Sequence, residues 1–244
     1  MSPRDRAAAS DGFAPGVPDV VGGRAHLIAT VALLAVGVAS ALLTASGSSL
    51  LAPVVTSVGD TSLTVARVDI GIAALVPLAL GVVAHLLASR RPVRLAAIVW
   101  AERSLSASIT VFLLAQLTGI RELGALVAIY ALTSALVLFA VLHERRDRAL
   151  GRMPGVFGAM VGIVPLGLIA WYQVAPAVVI GPDAGPAVWV RALTLVMLAL
   201  FVVAGWHRWR SPGDTRAALA LDVVARSVFA LTGAAAVAAG WGLG

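Results

Sequence analysis

Apolar residues in this chain come in long blocks. After a polar opening the sequence is apolar over about residues 25–45, 70–89, 95–118, 121–142, 155–175, 187–207 and 216–241. Each block is close to the roughly 20 residues an α-helix needs to cross the hydrocarbon core of a bilayer. Mostly short polar connections separate them, so the pattern predicts an all-α integral membrane protein with seven transmembrane helices. The first connection, about 46–69, is longer. Its Gly59-Asp60 turn signal and the β-branched alternation that follows, from Asp60 to Val68, predict a small β-hairpin. Residues 1–24 hold three arginines, three aspartates and three prolines with no apolar run, and read as a flexible polar tail, leaving 25–244 as the membrane domain. Thr44-Ala45-Ser46 looks like a signal-cleavage site, but the apolar stretch before it exceeds a signal core, so the first span reads as an uncleaved anchor.

Composition sharpens this picture. Of 244 residues 60% are hydrophobic and 12% charged, which excludes an ordinary soluble domain. There is no cysteine, so disulfides, thiolate metal sites and cysteine catalysis are excluded together. There is also no lysine: all 18 basic residues are arginine. Thirteen of them fall on the side of the tail and of the second, fourth and sixth connections, against Arg67, Arg121 and Arg191 on the other. Short cytoplasmic loops retain positive charge, so the N-terminus is expected in the cytoplasm and the C-terminus outside a cell membrane. The +6 net charge is therefore topological and does not argue for nucleic acid. The Glu144-Arg145-Arg146-Asp147-Arg148 run reads as a solvated inner loop, with attraction of anionic lipid or an acidic partner as the alternative. Gly158 and Gly162 form a small-xxx-small pattern, for packing within the chain or at a dimer seam. No internal repeat, catalytic serine–histidine–carboxylate set, metal cluster or phosphate loop stands out, so an enzyme is not expected.

Ionisable residues inside spans are expensive, about 2.5 to 3.5 kcal/mol each on insertion scales, so each needs a partner, water or a task. Glu102 falls roughly 10 Å into the third span and Arg226 roughly 15 Å into the seventh, at 1.5 Å per residue. Asp222 precedes Arg226 by one helical turn, a spacing at which side chains meet. Arg103 points about 100° away from Glu102. Glu102, Ser106, Ile109, Leu113 and Gln116 recur at helical spacing and give the third span a stripe for the bundle interior. If the seventh span turns toward it, the charges form a network that acts as a structural clasp or as a proton or ion relay. His26 and His85, near one end of spans one and two, either bond to each other or sit apart at the interface. His143 and His207 adjoin arginine-rich connections and read as interfacial.

The segment from Trp100 to Ser108, followed by Ala115-Gln116-Leu117-Thr118-Gly119-Ile120, resembles the third helix of the heliorhodopsins, seven-helix retinal proteins distant from the proton-pumping microbial rhodopsins. The similarity continues through Leu142-His143-Glu144, Gly162-Ile163-Val164-Pro165 and Val224-Ala225-Arg226-Ser227, and spans essentially residues 24–240. The resemblance implies that Glu102 holds the position of the counterion to the retinal Schiff base, with Ser106 beside it. It implies that His26 and His85 border a polar cavity on the cytoplasmic side, and that the first outer loop forms a hairpin at a homodimer contact. An inward N-terminus agrees with the family's orientation.

One position departs from the family. The lysine expected to bind retinal falls on Arg226, whose delocalised guanidinium stays protonated and cannot form an imine. No other lysine exists to replace it. Arg226 can, however, supply the positive charge opposite Glu102, with Asp222 as a second acceptor. The expectation is a heliorhodopsin-like membrane protein without covalent retinal, serving as a light-independent signalling or regulatory scaffold for a cytoplasmic partner. The alternatives are a photosensor holding retinal or a carotenoid non-covalently, with Phe112, Tyr130, Trp171, Tyr172, Phe201 and Phe229 as candidate lining, and a proton or ion pathway through the buried charges.

Overall fold

A computed structural model describes residues 22–90, 96–144, 151–181, 184–211 and 214–242. Most of the expected tail, the loop arginines Arg91 and Arg94, and the run from Arg145 to Arg148 lie outside the described residues.

Helix α1 (Gly23–Ser46) is followed by strands β1 (Leu51–Val58) and β2 (Thr61–Asp69). A one-turn helix α2 (Ile70–Ala73) leads into α3 (Leu75–Arg90), and together they make the second span, Ile70–Arg90. Then come α4 (Ala96–Leu117), α5 (Leu123–Glu144), α6 (Met153–Val179), α7 (Val188–Arg210) and α8 (Thr215–Ala238). Seven helices are thus long and apolar enough to cross a membrane, and the protein is a multi-pass membrane protein. Large apolar side chains such as Ile28, Ile163 and Val188 point outward, as lipid-facing positions do.

Neighbouring spans pack in chain order and the ring closes where α1 lies along α8. At one end, called here the arginine-rich end, α1, α4, α6 and α8 begin and α3, α5 and α7 finish. The opposite end carries the hairpin. The core is shared among Leu33, Leu78, Leu113, Ile129, Ile169, Met197 and Phe229, one from each span. Gly158 and Gly162 sit on α6 where Leu136 and Phe139 of α5 press against the backbone, so this small-residue pair serves packing within the chain.

Local chemistry sets the helix ends. Asp214 accepts a hydrogen bond from the Ala217 N–H at 3.1 Å and starts α8. At its far end Gly240 adopts φ +67°, and the N–H groups of Gly240 and Trp241 donate to the carbonyls of Val237 and Ala236, the double closure of a Schellman motif. Gly119, at φ +97°, closes α4 in the same way. Helix α6 outruns its expected limits of 155–175 because Pro176 only forgoes a bond from its own nitrogen. Its carbonyl still accepts from Ile180 at 2.9 Å, and the helix runs to Val179.

The hairpin is antiparallel, with a bulge between Val54 and Val55. Gly59, at φ 59°, makes the turn. Ala52 and Val54 are buried beneath it, and the Val55 N–H donates to the Arg121 carbonyl at 2.8 Å, tying β1 to the α4–α5 connection. Strand β2 is exposed until its last two residues.

Candidate functional site

The third-span stripe places Glu102 and Ser106 one turn apart on the inward face of α4, both buried. Ser106 Oγ donates to Glu102 Oε1 at 2.5 Å and so fixes the carboxylate's rotation. From α8, Arg226 reaches across the bundle and is 4% exposed. Its Nη1 donates to Glu102 Oε1 and, at 3.2 Å, to the carbonyl of Pro77 on α3. Its Nη2 donates to Glu102 Oε2 at 3.3 Å and to Asp222 Oδ2 at 2.6 Å. One guanidinium therefore holds two carboxylates and a backbone carbonyl through four of its donors, which only a planar fork can do.

Arg103 is buried as well, though it leaves α4 in another direction. Its guanidinium carbon lies 4.8 Å from the centre of the Trp100 ring, and its Nε stops 4.0 Å from Asp222 Oδ2, beyond hydrogen-bond length. Two carboxylates and two guanidiniums thus come together with nominal charges that cancel, as the low dielectric of a bundle interior requires.

Below this group, toward the arginine-rich end, His26 and His85 meet. Their Nδ1 atoms are 3.1 Å apart and the rings stack with centroids at 5.2 Å. Two separate interfacial imidazoles are therefore not what forms. Helices α1 and α3 pack closely enough along their length to press the two rings together. Of the other two histidines, His143 departs from its interfacial reading and His207 is part-exposed near the end of α7. His143 is buried and stacks on Trp209 at 5.6 Å, and His207 Nε2 lies 3.6 Å from Asp214 Oδ2. Glu144, read from sequence as the start of a solvated loop, is buried and pairs with Arg208 at 3.6 Å, because the Arg208 side chain reaches it from the last turn of α7.

Two participants carry no motif or charge in the sequence, Pro77 and Gly81, and Trp100 figures there only as the start of the third-helix segment. Pro77, Gly81 and His85 follow one another at four-residue spacing, and that periodicity was the available signal. Gly81 is needed for clearance. A Cβ there would lie 2.7 Å from Arg226 Nη1 and 2.8 Å from Leu33 Cδ1. Of the aromatic residues considered as lining, Phe229 is fully buried and Phe112 and Phe201 pack against the core. Trp171 and Tyr172 are 57% and 36% exposed on the outer surface and line nothing inside.

A comparison with family models matches the heliorhodopsin model over residues 19–230, which takes in six spans and the seventh as far as Ala230, with the Arg226 position. The chain belongs to the heliorhodopsin family. Heliorhodopsins are light-sensing membrane proteins, and the seven-helix bundle with its short hairpin is this family member's fold. No curated protein sequence matches the chain. For a heliorhodopsin the donor set is unusual in its chemistry. An imine to an aldehyde needs a neutral primary amine, the sequence contains no lysine, and the guanidinium of Arg226 is engaged by carboxylates. Covalent retinal attachment to a side chain does not fit these residues.

Proposed function

We propose that this heliorhodopsin works without a covalently bound chromophore, as a light-independent membrane scaffold that signals to a partner. In this reading Arg226 occupies the place of the retinal-binding lysine and permanently supplies the positive charge that a protonated Schiff base would carry, with Glu102 retained as its counterion and Ser106 holding that carboxylate. One observation carries the reading: the Arg226 guanidinium is buried and fully engaged on its two Nη atoms by Glu102, Asp222 and the Pro77 carbonyl. A guanidinium held on both Nη atoms, in a chain without a single lysine, is what a charge-preserving replacement of the chromophore calls for. The N-terminus and the arginine-rich connections face the cytoplasm in this proposal, where they would meet the partner protein, and the hairpin serves a homodimer contact on the other face.

Purification of the wild-type protein with all-trans retinal tests the reading. The expected result is no red-shifted visible band and no added mass after borohydride treatment. A visible pigment that bleaches with hydroxylamine would overturn it. The Arg226→Lys variant under the same conditions reports on the surrounding space: a pigment there, with none in the wild type, assigns the loss of colour to this one side chain.

A further inference from the structure

The charged groups do not end at Asp222. From Arg226 they continue as one chain of contacts toward the arginine-rich end. Arg226 Nη2 holds Asp222 at 2.6 Å, and Arg103 Nε approaches the same Asp222 oxygen at 4.0 Å. Arg103 lies over the ring of Trp100 at 4.8 Å, Arg208 lies over the same ring at 5.8 Å, and Arg208 Nη1 reaches Glu144 Oε1 at 3.6 Å. The helices that carry these groups are not neighbours in the ring. Helix α4 packs its backbone against α3 and α5, whereas α8 packs against α1 and α7. Among the described residues, the arginine–carboxylate pairs between helices join α7 or α8 to α4 or α5 across the interior.

We propose that Asp222, Arg103, Trp100, Arg208 and Glu144 form a latch that holds α7 and α8 to α4 and α5 at the arginine-rich end and passes a change at Arg226 to the ends of α5 and α7. Asp222 is the shared element. While Arg226 grips it, Arg103 is left short of hydrogen-bond contact and spends its charge on Trp100, where it sits beside Arg208. Release of Asp222 by Arg226 frees it to close on Arg103. That movement draws Arg103 off Trp100 and changes what remains to hold Arg208 and, through it, Glu144. Helix packing in a membrane gains little from the hydrophobic effect, since lipid is as apolar as the helix surface, so a polar latch of this kind has unusual leverage on helix separation. The latch rests on the family fold and on the distances above, and not on whether retinal binds.

The chain lacks cysteine, so two introduced cysteines report distance without background. Leu142→Cys near the end of α5 and Ser211→Cys at the end of α7 are both at exposed positions. Spin labels at these sites in the full-length protein, read by pulsed dipolar spectroscopy in lipid nanodiscs, should give one narrow distance distribution. Arg208→Gln should lengthen and broaden it, and Arg226→Gln should shift it although Arg226 touches neither helix end. In a Glu144→Leu/Arg208→Met background, which exchanges the distal pair for apolar packing, Arg226→Gln should leave the distribution unchanged. Asp222→Asn makes the same comparison should Arg226→Gln fail to fold. An unaltered distribution in Arg208→Gln, or an equal shift from Arg226→Gln in both backgrounds, overturns the latch.

Discussion

Between the arginine-rich end and Phe229, α4 and α8 face the interior with charge: Glu102, Arg103, Asp222 and Arg226, joined by hydrogen bonds across the bundle. From Phe229 to the hairpin end the same two helices present Val111, Leu113, Leu114, Phe229, Ala230 and Val237, and the backbones of neighbouring elements come close. Gly47 shows how close, since a Cβ there would lie 2.2 Å from the Val237 carbonyl oxygen. Between α4 and α8, one half is held by directional pairs and the other by shape. The difference teaches where adjustment is possible. Apolar packing of this density has few alternative arrangements, whereas a carboxylate with two guanidiniums in reach has at least two.

The largest expected effect breaks the charged half. Arg226→Ala strands Glu102 and Asp222, and removal of one partner from a buried ion pair costs about 3–5 kcal/mol. Thermal unfolding in detergent should show this loss, and Glu102→Gln added to Arg226→Ala should recover part of it. If the double variant is less stable by the sum of the two single losses, the pairing described here is not what holds this half together. Phe229→Ala tests the apolar half by opening a cavity, with an expected cost of about 3 kcal/mol and no recovery from any charge change. The smallest pair sharpens the contrast. Gly47→Ala drives a methyl into backbone and should cost about 2 kcal/mol, while Gly81→Ala meets only the ends of the Arg226 and Leu33 side chains, which need shift only slightly, and should cost about 1 kcal/mol. Equal losses at the two glycines would show that the charged half is as rigid as the apolar one.

How much of this was legible in the sequence follows the same division. Seven spans and the hairpin follow from block hydropathy, a Gly-Asp turn and β-branched alternation, each a local signal along the chain. The meeting of Glu102 with Arg226 was open to inference because both are charges in apolar surroundings and each needs a partner at similar depth. What the sequence could not supply was contact between side chains near span ends. His143 and Glu144 stand beside arginine-rich connections, where solvent is the default expectation, yet both are buried, with Trp209 and Arg208 of α7 reaching them. Trp171 and Tyr172 failed the opposite way: aromatic residues in a span suggest a lining, and helix rotation turned both toward lipid. Gly81 gives no signal of its own, because a glycine in an apolar helix carries no chemistry until the group that needs its space, Arg226, is in place.

The partners Glu102 and Arg226 are separated by 124 residues, on the third and the last spans. At a ribosomal pace of about 5–20 residues per second, the carboxylate precedes its guanidinium by roughly 6–25 s. Throughout that interval the carboxylate of α4 is without its guanidinium partner, and a bare anion is poorly tolerated in lipid. Biogenesis of this protein therefore turns on its final helix, and a chain truncated before that helix is expected to leave an insertion intermediate that quality control can recognise by the unneutralised Glu102.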